Sequence, residues 1–399
     1  MNVKIYPCTL DGDVVAPPSK SAAHRALLCA ALAKKKSVVG LSALSKDIEA
    51  TLRCIEAAGG GVRKTEGGYE ITPAAGAEKA VFDCGESGST LRFFLPVAAA
   101  LGIEATFIGS GRLPQRPVGE LLSVLKGVKA DADKLPLTIS GKLQSGAFRI
   151  RGDVSSQYIT GLLFALPLLQ GDSEIVLTTP LESAAYVEMT IGALKKSGVE
   201  VEKRESGYFV RGGQTYAPPA YAAVEGDWSN AAFFITASVI GNLVRVRGVD
   251  KNSAQGDAAI KDVLLSLRSS GAEIDAGNIP DLVPAVSVAA AYATGRTVIK
   301  NAARLRLKEC DRLHAVAANL NALGGRVRET DDGLIIDGTD GLTGGRVDGF
   351  NDHRIVMSMA IAATKAAGAV EILGAEAVEK SYPAFFEEFK RLGGKFDVL

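Results

Sequence analysis

The sequence carries no net charge, with 45 Lys and Arg against 45 Asp and Glu in 399 residues. A balanced chain has no general attraction for nucleic acid or an anionic membrane surface, so neither is expected as a partner and any anion must be held by a local cluster. Histidine is scarce: only His24, His314 and His353. The five cysteines, Cys8, Cys29, Cys54, Cys84 and Cys310, are scattered, with no CxxC pair and no histidine at ligand spacing. That pattern gives no metal site and no disulfide framework, and it suits a reducing compartment. The N-terminal stretch MNVKIYPCTLDGDVV lacks the apolar run of a signal peptide, and no later segment is long and apolar enough to span a membrane. A cytoplasmic protein is expected. Aromatic residues are few, at 6%, whereas glycine is frequent at 44, which points to tight turns and small-residue packing. The chain is too long for one ordinary core, and two or three domains are expected.

What the sequence does contain is a repeat. An amphipathic helix ending in Gly and followed by a strand recurs six times, at Gly59, Gly127, Gly198, Gly271, Gly324 and Gly393. Successive intervals are 68, 71, 73, 53 and 69 residues, so the pattern tiles the whole chain. The segment with Gly127, LKGVKADA, fits least well. Before each Gly the apolar spacing is helical, as in Ile48, Leu52 and Ile55; after it the residues alternate, and EGGYEI, ESGYFV and DDGLII supply hairpin turns. A second set of six segments, from HRALLCAALA to HRIVMSMAIAATKAAG, is apolar almost all round, as buried helices are. The expected architecture is α/β, with two globules of three units each and helices surrounded by sheets. The Pro/Ala-rich stretch YAPPAYAAVEGDW marks a boundary near residue 225, giving residues 16–225 as one globule and residues 1–15 with 226–399 as the other.

The apolar helices begin with polar clusters, where backbone N–H groups point outward and the dipole favours anions. PPSKSAAHRALL brings Lys20 and Arg25 to a capped first turn. DCGESGSTLRFF is a Gly-rich turn without the lysine of an ATP-binding loop, and SSQYITGLL offers Ser155, Ser156 and Gln157 in one turn. Arg112 and Arg116 lie in a Gly/Pro loop suited to bidentate carboxylate or phosphate recognition. In the second half, RLRLKECDRL places Lys308 and Arg312 on one helix face near Glu309, and GFNDHRIVMSMA sets Asp352, His353 and Arg354 before an apolar helix. Asp281 stands at the mouth of a nearly uncharged segment, and Lys380 is one more cation. Cations from both halves suit two anionic substrates. With no Ser-His-Asp or Cys-His arrangement evident, Asp281, Glu309 and His353 are the candidates for proton transfer.

These motifs together resemble the 5-enolpyruvylshikimate-3-phosphate synthase family over nearly the full length. PSKSAAHRA, CGESGSTLRF, LPQRP, SSQ, EGDWSNAAFF, RLKECDRL and NDHR match the family's segments in order. The resemblance implies an inside-out α/β barrel of six βαβαββ units in two domains, with the active site in the interdomain cleft. It implies transfer of the enolpyruvyl group of phosphoenolpyruvate to the 5-hydroxyl of shikimate 3-phosphate, with phosphate released, no cofactor and no metal. By position, Lys20, Ser21, Arg25, Ser155, Ser156, Gln157, Ser183, Tyr186, Asp281 and Lys308 would hold shikimate 3-phosphate. Lys20, Gly88, Arg116, Gln157, Arg312, Arg354 and Lys380 would hold phosphoenolpyruvate. Asp281, with Lys20, would take the hydroxyl proton; Glu309 would protonate the methylene carbon; His353 would assist. A monomer is expected. Gly88 is the family's glyphosate-discriminating position, so sensitivity to glyphosate is expected. Three residues depart from the pattern: Glu86 where Asn is common, Arg304 where Asn is common, and Trp228 in place of a small residue. The related UDP-N-acetylglucosamine enolpyruvyl transferases usually carry Cys or Asp in the loop here reading GRLPQRP, which has neither. A non-catalytic RNA-binding repeat protein would be expected to show a basic surface.

Overall fold

Twelve α-helices alternate between two kinds of environment in the computed structural model, which describes residues 1–268 and 271–399. The odd-numbered helices are the apolar ones: α1 (Lys20–Ala31), α3 (Gly88–Leu101), α5 (Ser156–Ala165), α7 (Trp228–Val239), α9 (Val283–Tyr292) and α11 (His353–Ala363). The even-numbered ones are two-faced or short: α2 (Lys46–Ala57), α4 (Gly119–Val124), α6 (Ala184–Lys196), α8 (Ile260–Ser266), α10 (Arg312–Ala322) and α12 (Phe385–Arg391). Every residue of α11 is buried, and so is every residue of α9 but its last, because neither helix has a polar face to turn to water. Five of the six apolar helices start on a side-chain cap. Ser19, Ser87, Ser155, Asp227 and Asp352 each accept a backbone N–H from the first turn.

The chain divides into two compact units, residues Pro18–Glu225 and residues Met1–Pro17 with Gly226–Leu399, each with its own hydrophobic core. Within them the strands form five four-stranded sheets of one pattern. Lys79–Asp83 pairs parallel with Glu104–Ile108 across α3, and that strand pairs antiparallel with Leu137–Gly141, whose hairpin partner is Val128–Ala130. This is βαβαββ read in space. The sheet of Val3–Tyr6 is completed from both chain ends, since that strand lies between Val370–Leu373 and Lys395–Val398. Among the described residues no sheet closes on itself, and the apolar helices are buried.

Four of the six repeat glycines, Gly59, Gly198, Gly324 and Gly393, directly follow a helix cap with positive φ, between 74° and 94°, as a left-handed C-terminal residue does. Gly127, the weakest match by sequence, also has positive φ, at 79°, but lies two residues beyond the cap of α4, in the turn closed by the Val128 N–H on the Leu125 carbonyl. Gly271 is the exception and corrects the hairpin expectation for its unit. Residues Gly271–Asp275 are already the first strand of the next sheet, paired parallel with Arg296–Lys300, so no hairpin intervenes. The segment LRSSGAEID also includes Ser269 and Ser270, which lie outside the described residues. The sheet that should carry the hairpin therefore has two strands, Asp11–Val15 and Leu243–Arg247, paired parallel. The 53-residue interval is the trace of this missing hairpin.

Candidate active site

Two clusters of the expected residues form, one in each unit. In residues 18–225 they gather at the N-termini of α1, α3 and α5. Lys20 is the first residue of α1, and its Nζ donates to Asp47 Oδ2 on α2 at 2.8 Å, with both side chains largely buried. Ser21 follows it, part-exposed. Gly88 opens α3 against two guanidinium groups: a Cβ there would lie 2.6 Å from Arg92 Nη1 and 2.7 Å from Arg116 Nη1. Gln157, in the first turn of α5, accepts from Arg92 Nη1 at 3.1 Å and donates to Ser89 Oγ at 3.0 Å. Ser155 caps α5, and Ser156 is buried beside it. Arg116, only 9% exposed, is brought to this group by the loop after Ile108.

Arg25 lies between α1 and α6. Its guanidinium is 3% exposed and donates to the Ser21 carbonyl, the Tyr186 carbonyl and Thr190 Oγ1. Burial lowers its pKa to about 10. In this structure Arg25 ties α1 to α6, the helix that Ser183 precedes in a left-handed conformation (φ 54°) and whose first turn holds Tyr186. It fixes the turn that presents those two residues.

The second cluster, in residues 226–399, is a network of buried ions. Asp281 sits in a short 3₁₀ turn, Pro280–Leu282, leading into α9. Its two oxygens each receive a guanidinium, Arg312 Nη1 at 2.8 Å and Arg354 Nη2 at 2.9 Å. Arg312, 1% exposed, also donates to Glu309 Oε2 and Asp352 Oδ2, both at 2.7 Å. Arg354 reaches Ser229 Oγ at 2.7 Å, and Lys380 donates to the Asn351 carbonyl at 2.6 Å. Buried His353 has Nδ1 3.8 Å from Asp352 Oδ1.

Electrostatics follow from this packing. Burial alone raises the pKa of Asp281, but the charges of Arg354, Lys308 and Arg312 outweigh it and hold the carboxyl well below its usual range. For Arg312 burial works against the charge, and Asp352, Glu309 and Asp281 overcome it. Burial drives Lys308 the other way, to about 8, with Asp281 and Glu309 only partly offsetting it. Removing one member of such a network leaves an uncompensated buried charge, which is costly.

The residues that depart from the expected pattern have structural explanations. Glu86 turns its carboxylate onto the loop carrying Arg116, since a Cβ at Gly111 would collide with Glu86 Oε2. Arg304 donates to the Gly277 carbonyl at 2.6 Å. Trp228 is buried at the start of α7, with its indole N–H on the Asp250 carbonyl. Two acids have partners that the sequence does not reveal. Asp47 reads in sequence as an ordinary first-turn acid of α2, and nothing local reveals that it meets Lys20. Asp352 reads as a helix cap, which it is; that it also carries Arg312 is a tertiary fact.

Comparison with known proteins agrees with these features. The model of the family described as EPSP synthase (3-phosphoshikimate 1-carboxyvinyltransferase) matches residues 6–277 and 263–389. The overlap of the two matches, 263–277, is where the hairpin is missing. Among relatives named 3-phosphoshikimate 1-carboxyvinyltransferase, that of Clostridium kluyveri is 43% identical over 418 residues, spanning 99% of this chain and 98% of its own. That of Clostridium acetobutylicum is 42% identical over 419 residues, spanning 98% and 97%. Both comparisons are longer than this chain of 399 residues, so the relatives hold residues with no counterpart here. The EPSP synthase of Acinetobacter baumannii shares the fold, with a TM-score of 0.82 over all of both chains at 23% identity. By sequence the molecule is a transferase. The chain belongs to the EPSP synthase family, the 3-phosphoshikimate 1-carboxyvinyltransferases of the shikimate pathway. Among the described residues no helix is long and apolar enough to cross a membrane.

Proposed function

We propose that this chain transfers the enolpyruvyl group of phosphoenolpyruvate to the 5-hydroxyl of shikimate 3-phosphate, releasing phosphate, with the residues of both clusters in the roles their positions suggest. The observation that carries the reading is the sharing of one carboxylate, Asp281, by two arginine forks, Arg312 and Arg354. Such a pair is built to take a planar carboxylate, and the carboxylate of phosphoenolpyruvate would compete with Asp281 for it. Once Arg312 and Arg354 turn to the substrate, Asp281 loses two of the three charges that suppress its basicity, Lys308 being the third. Substrate binding itself then prepares Asp281 to take the proton of the 5-hydroxyl.

In the addition step the hydroxyl oxygen bonds to C2 of phosphoenolpyruvate, Asp281 with Lys20 receives the hydroxyl proton, and Glu309 gives a proton to C3. In the elimination step the C2–O bond to phosphate breaks and C3 returns its proton to Glu309, which restores the double bond. Arg116, Lys20 and the N-terminus of α3 at Gly88 would take the phosphate, with Arg312, Arg354 and Lys380 on the rest of the anion. Ser155, Ser156, Gln157, Ser21, Arg25, Ser183, Tyr186 and Lys308 would hold shikimate 3-phosphate. His353, next to Asp352, would hold the ion network in register. We place the protein in the cytoplasm as a monomer with these two small molecules as its partners.

The test is phosphate release from phosphoenolpyruvate with shikimate 3-phosphate as acceptor, run beside UDP-N-acetylglucosamine. Turnover with shikimate 3-phosphate alone is expected; turnover only with the nucleotide sugar, or with neither, overturns the assignment.

A further inference from the structure

His24 takes no part in the chemistry above, yet it heads an unbroken line of buried hydrogen bonds. Its Nδ1 lies 2.7 Å from Thr51 Oγ1 on α2, Thr51 Oγ1 lies 2.7 Å from Thr90 Oγ1 on α3, and Thr90 Oγ1 donates to Ser87 Oγ at 2.7 Å. All four side chains are 1% exposed or less. Ser87 is the cap of α3, immediately before Gly88. With the Thr90 proton spent on Ser87, Thr51 must donate to Thr90, so His24 must donate from Nδ1 to Thr51. The ring therefore carries a proton on Nδ1, and Nε2 makes no hydrogen bond among the described residues. Burial, with Lys20 and Arg25 nearby, keeps the ring from taking a second proton.

The same two helices hold the ion pair of the site. Lys20 is one turn before His24 on α1, and Asp47 one turn before Thr51 on α2, so Lys20–Asp47 and His24–Thr51 are successive rungs between the helices. The second rung is the one that extends to the cap of α3. Lys20 and the α3 N-terminus are thus held relative to each other by a line that passes through His24.

We propose that His24 is a positioning residue for the carboxyvinyl transfer, fixing Lys20 against the phosphate-facing N-terminus of α3 through Thr51, Thr90 and Ser87. The inference rests on the function proposed above. Breaking the line should cost about one hydrogen bond, roughly tenfold in kcat/KM for phosphoenolpyruvate. His24→Phe, which keeps a ring against Phe93, and Thr90→Val should each show that loss below their melting temperatures. The double variant should lose about tenfold in total rather than a hundredfold, because both changes cut one line. His24→Asn, whose amide N–H can stand where Nδ1–H does, should stay within about threefold of the parent. Should His24→Phe not fold, Thr51→Val takes its place in the cycle. Nitrogen-15 NMR of the histidines in the full chain should give a neutral, Nδ1-protonated His24. Folded variants with parental kcat/KM, additive losses, or an Nε2-protonated or charged His24 overturn the inference. A parent chain inactive on shikimate 3-phosphate overturns the function instead, whatever the NMR shows.

Discussion

Lys308 and Glu309 are adjacent in the chain but answer to different neighbours. Lys308 is pushed down to about 8 by burial, while Glu309 is held at 2.7 Å by the guanidinium of Arg312. If charged Lys308 is needed for shikimate 3-phosphate, kcat/KM for that substrate falls as pH rises through about 8, and Lys308→Arg moves that limb above pH 10. A stability effect of opposite sign accompanies it. Unfolded lysine keeps its proton up to about 10.5, whereas folded Lys308 sheds it near 8, so the unfolded chain binds more protons between those values and stability rises with pH there. Denaturant midpoints across that range should rise in the parent and rise less in Lys308→Met. For Glu309, replacement by Gln removes the proton donor but keeps the shape, and Arg312 retains Asp281 and Asp352. Turnover should drop by about two to four orders of magnitude with KM changed only a few-fold, read in single-turnover and steady-state phosphate release.

At the scale of elements, the site is assembled from helix N-termini, and the cap residue matters more than its size suggests. Asp352 receives the Arg354 backbone N–H at the start of α11 and at the same time the Nε of Arg312. Asp352→Ala therefore leaves a helix uncapped and a buried cation short of one partner, a loss of about 3–5 kcal/mol in chemical denaturation. Asp352→Asn keeps a capping oxygen and should lose distinctly less. The caps were legible in sequence, since Ser19, Ser87, Ser155 and Asp352 stand directly before apolar runs, and a capping bond is made within three residues. The missing hairpin was legible only as an interval 53 residues long. Nothing local marks a strand that is absent, and Gly271 resembles the other repeat glycines until its pairing with Arg296 is known.

For the whole molecule, residues 18–225 form one continuous segment with their own core, and the chain passes between the units at 17–18 and 225–226. A protein of residues 18–225 alone should fold, giving a single cooperative unfolding transition by circular dichroism, because that core is complete within the segment. A non-cooperative melt would show that this unit draws its stability from the rest of the chain. The Pro/Ala-rich stretch YAPPAYAAVEGDW spans the second crossing, and the PPSKS motif begins at the first.

By itself the sequence determined the repeat, the alternation of buried and two-faced helices, and the placing of charged residues at helix starts. Periodicity and capping are short-range, and they act the same way wherever the chain goes. Tertiary structure alone decided which partner each charge meets. Lys20 finds Asp47 across 27 residues, Arg312 finds Asp352 across 40, and Arg354 finds Asp281 across 73. An ion pair has no sequence period; it forms where packing brings two buried charges together, because each would otherwise be stranded out of water.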